Sequence, residues 1–146
     1  MKKLLALLLA AWLLPTMSVS EEEAVMANKI DIDVNGQVRT ATLNDSISAL
    51  ALLERLEQGP LVIQAEDYGG FEKVGPLDTD LPASPEYLTT APGDIILFGN
   101  SITIYYSENT WTLTLLGRVD DATGENMREF LGDGDPTITF SLHTEK

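Results

Sequence analysis

Two hairpin signals, each with apolar residues at every second position, constrain the fold of this chain more than any other feature. In the first, isoleucine and valine alternate with aspartate over residues 30–34, and Asn35-Gly36 follows. This dipeptide is the strongest short-range sign of a β-turn. A two-residue loop pairs Val34 with Gln37, and a three-residue loop pairs Val34 with Val38. We expect the three-residue loop, because it keeps the apolar side chains of both strands on one face.

The second hairpin signal lies in residues 94–106 and turns at Gly99-Asn100. A two-residue loop sorts the strand residues into two faces. The face that we expect in the core pairs Ile95 with Ile104 and Leu97 with Ile102. The opposite face pairs Ile96 with Thr103 and Phe98 with Ser101.

Two other segments have helical periodicity. Residues 44–59 place apolar side chains at i, i+3, i+4 and i+7, with Asp45 or Ser46 as a cap and Gly59-Pro60 as the stop. Its expected inner stripe is Ala49, Leu52, Leu53 and Leu56, widened by Ile47 and Leu50. Residues 123–131 predict a second, shorter helix, with Met127, Phe130 and Leu131 pointing inward.

Short strand patterns account for most of the remaining sequence. They lie at residues 61–63, 71–74, 87–89, 111–119 and 137–142. The total is seven or eight short strands and two helices, which do not alternate one to one, so a parallel doubly wound sheet is not expected. A mainly β fold is predicted, as a closed or nearly closed antiparallel barrel, because closure removes exposed strand edges.

The first twenty residues match a cleavable export signal. Lys2 and Lys3 precede an apolar run over residues 4–14, and the small residues of Ser18-Val19-Ser20 suit a signal peptidase. The run is shorter than the roughly 20 residues that span a bilayer. We therefore expect a signal peptide at 1–20, a flexible lead-in at 21–29 and one domain at 30–143. The expected location is extracytoplasmic, either periplasmic or secreted, without stable membrane association after cleavage.

Charge and composition exclude several functions. The chain has 9 Lys+Arg against 23 Asp+Glu, a net charge of −14, and the predicted signal peptide removes two lysines and no acid. Such a surface repels nucleic acid and anionic membranes. The chain has no Cys, which excludes thiol catalysis and thiolate metal sites. We expect a monomer that binds neither nucleic acid nor a cofactor.

The remaining polar residues do not predict a metal or a histidine-based site. The single His, His143, lies close to the C-terminus, where we expect a solvated tail residue. Three acidic pairs, Glu66-Asp67, Asp120-Asp121 and Asp133-x-Asp135, could hold Ca²⁺ or act as acid and base. Each provides fewer oxygens than a calcium loop needs. We interpret these acids as turn residues and expect no metal.

Three segments of the chain resemble small bacterial cyclophilin-like domains. Residues 67–75, DYGGFEKVG, look like their DYGG-x-EKVG segment, and residues 93–99, GDIILFG, look like their GDI-x-LYG hairpin. Residues 116–119, LGRV, followed by a helix, are similar to their LG-x-I segment. The three lie in the family's order. The resemblance implies a cyclophilin-like closed β-barrel of about eight strands with two helices.

The resemblance also bears on catalysis. True cyclophilins are prolyl isomerases, which use an Arg to hydrogen-bond the twisting peptide. Residues 71–74 are similar to the isomerase FHRV strand, with Lys73 where that Arg would stand. An ammonium does not replace a planar guanidinium, and the Gln and second aromatic residue expected after the Arg are missing. Trp111 is similar to an isomerase pocket Trp but lies closer to Gly117 than the isomerase spacing.

Aromatic residues on neighbouring strands are the candidate ligand-binding residues. The predicted site consists of Tyr68, Phe71, Lys73, Tyr105 and Trp111; ordinary core packing is the alternative for the aromatic residues. Tyr105 and Tyr106 point to opposite faces, so only one of them can join a given groove. The leading hypothesis is a peptide- or small-ligand-binding module without efficient catalysis. The alternatives are a prolyl isomerase that uses Lys73 and an acidic accessory domain that docks a basic partner protein.

Overall fold

The computed structural model describes residues 27–145, which form ten strands and two helices. The predicted signal peptide at 1–20 and most of the lead-in lie outside the described residues. No helix within 27–145 combines the length and the apolar composition needed to cross a membrane. The strands are β1 (Lys29–Val34), β2 (Gln37–Leu43), β3 (Leu61–Gln64), β4 (Glu66–Tyr68), β5 (Glu72–Pro76), β6 (Glu86–Thr89), β7 (Asp94–Phe98), β8 (Ser101–Tyr105), β9 (Thr110–Val119) and β10 (Thr137–Leu142), and the helices are α1 (Ile47–Glu57) and α2 (Gly124–Leu131).

The strands pair in antiparallel fashion in the order β3-β10-β1-β2-β9-β7-β8-β5-β4, with β6 added alongside β9. The predicted mainly β fold with two helices is confirmed. The predicted closure of the sheet into a barrel is not confirmed, because among residues 27–145 the ladder ends at β3 and β4 without a pairing between them. The end strand β3 still packs against β5, the neighbour of β4, because Gly75 of β5 lies against Ile63 and the Gln64 carbonyl of β3. Beyond Gly75, Pro76 has no N–H to donate to a ladder with β3.

The first hairpin differs from the prediction. Val34 pairs with Gln37 across a two-residue loop, and both loop residues have positive φ, 55° at Asn35 and 84° at Gly36. This turn matches the twist of the flanking strands. The three-residue loop that pairs Val34 with Val38 is therefore wrong, and Val38 is 55% exposed.

The second hairpin has the predicted register. Ile95 faces Ile104 and Leu97 faces Ile102 across β7 and β8, and all four side chains are buried in the main core. The opposite face is also covered at Ile96, which forms a second, small cluster with Tyr105 and Leu113. A register shift in β9 next to Ile95 and Ile96 lets this one strand contribute to both clusters. The face of the sheet that points away from the main core is therefore also partly buried here, and the candidate site lies on this face.

Both helices pack against the main core. Ser46 caps α1 by accepting a hydrogen bond from the Ala49 N–H, and Ala49, Leu52 and Leu56 are buried. The prediction that Ile47 and Leu50 extend this buried face of α1 is wrong, since both are exposed. In α2, Thr123 is the cap, and the predicted inward residues Met127, Phe130 and Leu131 are all buried.

Candidate functional site

A groove of about 560 Å³ lies on the outer face of the sheet, over the second cluster. Strands β4, β5, β7, β8 and the first residues of β9 supply its walls. Side chains that line it include Tyr68, Phe71, Glu72, Tyr105, Trp111 and Leu113. Four of the five residues predicted as ligand-binding therefore meet in one groove, although they come from separate segments of the chain.

A glycine pair positions the aromatic wall of the groove. Gly69 and Gly70 have φ of 64° and 72°, in the left-handed region where other residues are strained. This turn brings the chain from β4 back into β5, and the Phe71 N–H donates to the Tyr68 carbonyl at 3.3 Å. A Cβ on Gly69 would overlap the Phe71 ring. Gly69 thus gives Phe71 the space that it occupies beside the sheet.

Three of the aromatic rings, those of Tyr68, Phe71 and Tyr105, form a continuous row, and Trp111 lines the same groove. Phe71 stacks on Tyr105 with ring centroids 5.9 Å apart and an angle of 15° between the planes. Tyr68 meets Phe71 edge to face, also at 5.9 Å. Tyr105 is buried, whereas Tyr68 and Trp111 are 62% and 59% exposed. The row therefore has a buried floor and open aromatic edges, which suits contact with a ligand that is partly apolar.

Glu72 is the charged residue on the floor of this groove. It faces Tyr105 in the β5–β8 ladder and is only 9% exposed. Burial raises the pKa of the Glu72 carboxyl above its ordinary value; the Tyr105 hydroxyl lowers it in part, and Asp67 raises it further. Burial and the neighbouring Glu72 also raise the pKa of Tyr105. The floor thus combines a phenol and a carboxyl in an apolar setting.

The loop before β9 adds an amide to this floor. The Asn109 side chain donates a hydrogen bond to the Tyr105 hydroxyl at 3.4 Å. The Asn109 backbone is held by Thr90, whose hydroxyl accepts from the Asn109 N–H at 2.9 Å and whose N–H donates to the Asn109 carbonyl at 2.8 Å. The polar groups at this end of the groove are therefore held by the neighbouring loop.

Lys73 does not join the groove, and the prediction that it lies beside the four aromatic residues is wrong. Adjacent residues of a strand point to opposite faces, so the Lys73 side chain leaves β5 on the side away from Phe71 and Tyr105. It is almost fully buried there, and its Nζ donates to the Gly134 carbonyl at 2.6 Å and pairs with Asp67 at 3.1 Å. The position next to the aromatic rings belongs to Glu72 instead.

The Lys73 cluster joins the edge of the sheet to the turn after α2. The Lys73 ammonium lies 5.7 Å from the centre of the Tyr106 ring, and the Tyr106 hydroxyl donates to Asp67 at 2.6 Å. The bonds from Tyr106 and Lys73 hold the pKa of Asp67 below its ordinary value, and burial together with Asp67 raises the pKa of Tyr106 to about 12. Tyr105 and Tyr106 occupy opposite faces, as predicted.

Some acidic residues elsewhere, such as Asp31 and Asp120, bond to other parts of the fold. Within residues 27–145, no group of three or more His, Asp or Glu side chains could hold a metal ion. Asp120 accepts hydrogen bonds from Lys29, Thr40 and Thr42. The expectation that His143 is a solvated tail residue is wrong, since its Nδ1 lies 2.7 Å from an Asp31 oxygen.

Sequence reasoning missed two polar residues of the groove, Glu72 and Asn109. The alternation of side chains along β5 and β8 could have indicated that Glu72 belongs to the groove. If Phe71 and Tyr105 are side by side, the residue directly opposite Tyr105 in an antiparallel pair shares its face, and that residue is Glu72. Asn109 has no such signal, because its position depends on the loop that Thr90 holds.

Comparison with known protein families gives a match over most of the chain. A family model described as "Cyclophilin-like family" matches residues 32–142. This range includes nine of the ten strands in full, both helices and every residue of the groove named above. No curated protein matches the chain.

Proposed function

Because this chain belongs to the cyclophilin-like family, we propose that it is a peptide-binding module that uses the aromatic groove and does not catalyse proline isomerisation efficiently. The observation that carries the proposal is the meeting of Tyr68, Phe71, Tyr105 and Trp111 around one groove of about 560 Å³. Ligand sites are typically concave, largely apolar and furnished with a few polar groups, and this groove has each property.

The form of the groove favours a peptide over a compact ligand. Three of its aromatic lining residues, Tyr68, Phe98 and Trp111, are more than half exposed to solvent. Exposed aromatic residues above a buried apolar floor are typical of surfaces that bind protein segments. A short extended segment can lie on the row of rings and place one side chain over the floor.

The position of Lys73 argues against isomerase activity. A Lys73 catalyst would have to reach a peptide in the groove, but its ammonium is engaged by Gly134 and Asp67 on the other face. The polar side chains toward the floor of the groove are Glu72, Asn109, Thr103 and the Tyr105 hydroxyl. None of them is a cationic donor that could stabilise a twisted prolyl peptide bond.

The proposal also includes export, which rests on the signal pattern of residues 1–20. The acidic composition and the absence of Cys are compatible with an extracytoplasmic protein. N-terminal sequencing of the protein recovered outside the cytoplasm should start at Glu21. A protein that keeps Met1 and stays in the cytoplasm would contradict this part of the proposal.

The binding function can be tested by peptide selection followed by a solution measurement. A random dodecapeptide phage library is selected on the purified protein, and selected peptides are labelled for fluorescence anisotropy. Trp111→Ala should weaken their binding at least tenfold. Tyr87→Ala is the matched control, because Tyr87 is also an exposed aromatic residue, at 78% against 59% for Trp111, and does not line the groove.

Two results would overturn the proposal. One is a selection that yields no peptide whose binding depends on Trp111. The other is a proline-containing test peptide whose slow isomerisation, tens of seconds without a catalyst, is accelerated by the protein at rates typical of isomerases.

A further inference from the structure

The Glu72 carboxyl has no cationic partner within the part of the chain that the structure describes. The ion pairs of residues 27–145 involve other acids: Asp31, Asp67, Asp78, Asp94 and Asp120. A buried carboxylate normally has a cationic partner or several hydrogen-bond donors, because the loss of its hydration is costly. Glu72 has the Tyr105 hydroxyl as a neutral partner and lines the groove, so a ligand in the groove can supply the cation.

The surroundings of Glu72 are suited to a cation of a particular shape. The aromatic side chains of Phe71, Tyr105 and Trp111 line the same groove, and Phe71 stacks on Tyr105. Aromatic faces attract ammonium and guanidinium groups, most strongly when water is excluded. The aliphatic stem of a Lys or Arg side chain can pack on the rings while its charged end reaches the carboxyl.

The charge of the whole chain points the same way. A net charge of −14 attracts basic segments and repels acidic ones over distances of about a Debye length. Long-range attraction and local pairing therefore favour the same class of ligand.

We propose that the groove selects peptide segments that present a Lys or Arg side chain, with Glu72 pairing with the charged end and the aromatic row holding the stem. This inference rests on the proposed peptide-binding function. It adds the specificity that an aromatic groove alone would not have, since apolar contacts discriminate weakly among side chains of similar size.

The test uses four acetylated and amidated peptides of sequence Gly-Ser-Tyr-X-Tyr-Ser-Gly, in which X is Lys, Arg, norleucine or Glu. Norleucine keeps the aliphatic stem of lysine and lacks the ammonium. Binding is followed by Trp111 fluorescence in a Trp12→Phe background, in which Trp111 is the single tryptophan of the chain. The Lys and Arg peptides should bind at least tenfold more tightly than the norleucine peptide, and the Glu peptide most weakly.

Two variants separate local pairing from general attraction. Glu72→Gln should remove the preference for Lys and Arg over norleucine. Glu108→Gln removes one negative charge from an exposed position next to Asn109 and should leave that preference intact, because screened surface charges contribute little.

The outcomes distinguish the inference from the function on which it rests. Equal binding of the Lys and norleucine peptides, or a preference that survives in Glu72→Gln, overturns the inference. If peptides selected from the random library still bind in a Trp111-dependent manner, the proposed function stands without it. If neither the selected nor the designed peptides bind, both fail.

Discussion

Glu72 and Lys73 are neighbours in the chain, yet their side chains lie on opposite faces of β5. Glu72 lines the aromatic groove, and the Lys73 ammonium is bound to the Gly134 carbonyl on the other side of the sheet. The acid thus stands where a ligand can reach it, and the base is used to hold the fold together. The two residues therefore make different, separable predictions.

Replacing Lys73 should destabilise the fold without affecting the groove. Lys73→Met keeps most of the side-chain volume but leaves the Gly134 carbonyl without its donor and Asp67 without its cation. We expect a loss of about 1–3 kcal/mol in the free energy of unfolding, measured by urea denaturation. Binding of selected peptides by the folded variant should be unchanged.

A double-mutant cycle with Asp67→Asn checks the origin of that loss. If the pair contributes directly, the loss in the double variant is smaller than the sum of the two single losses. Additive losses would mean that the ion pair with Asp67 does not contribute directly. A folded Lys73→Met protein that no longer binds peptide would contradict the assignment of Lys73 to the fold.

Removing the charge of Glu72 should stabilise the protein at neutral pH. The pKa of Glu72 is raised in the folded state, so the folded protein binds this proton more tightly than the unfolded chain does. The free energy of unfolding therefore falls as pH rises from the unfolded pKa, about 4.3, through the folded pKa. Glu72→Gln should recover an amount on the order of 1 kcal/mol at pH 7.

The pH series provides the control for the Glu72 prediction. Chemical denaturation of wild type and Glu72→Gln between pH 3.5 and 8 should show the advantage of the variant shrinking as pH falls toward 4. A variant that is less stable than wild type at pH 7 would show that the carboxylate is well satisfied within the protein, which would also weaken the case for an external cation.

Asp120 should show the opposite pH dependence. Burial alone would raise the pKa of Asp120, but hydrogen bonds from Lys29, Thr42 and Thr40 outweigh burial and hold it below the ordinary value. Its contribution to stability is therefore present above the unfolded pKa, about 3.9, and is lost as pH falls through the folded pKa. Asp120→Asn should cost about 1 kcal/mol at pH 7, less than a fully buried pair because the carboxyl is partly exposed.

The same denaturation series tests Asp120 against Glu72. The difference between Asp120→Asn and wild type should narrow toward pH 3, whereas at neutral pH the two variants should deviate from wild type in opposite directions. A cost that stays constant down to pH 3 would mean that shape rather than charge matters at this position.

Periodicity in the sequence was sufficient to predict much of the sheet. The register of the second hairpin follows from the rule that side chains alternate, because Ile95, Leu97, Ile102 and Ile104 can be buried together in only one way. The first hairpin could not be predicted on the same basis. There the face that includes Arg39 turns inward, and the guanidinium lies 5.9 Å from the centre of the Phe130 ring, a contact that no local pattern indicates.

Part of the candidate site could also be predicted from the sequence. Aromatic residues are large and few, so Tyr68, Phe71, Tyr105 and Trp111 could be identified from type and approximate strand position. The resemblance to a catalytic strand predicts Lys73 in the groove, but Lys73 and Phe71 can share a face only if the strand is regular between them. The chain instead turns at Gly69-Gly70, β5 begins at Glu72, and the alternation starts there.

The glycine pair before Phe71 makes a final prediction, in which the two glycines act as controls for each other. Both have positive φ, so an alanine at either position is strained by about 1–2 kcal/mol. A Cβ at Gly70 meets no other atom within 4 Å, whereas a Cβ at Gly69 overlaps the Phe71 ring. Gly69→Ala should therefore lose more stability than Gly70→Ala and should also weaken peptide binding, because the ring must leave its stack on Tyr105. Equal losses of stability and binding in the two variants, measured by urea denaturation and fluorescence anisotropy, would mean that Phe71 does not depend on this turn for its place in the groove.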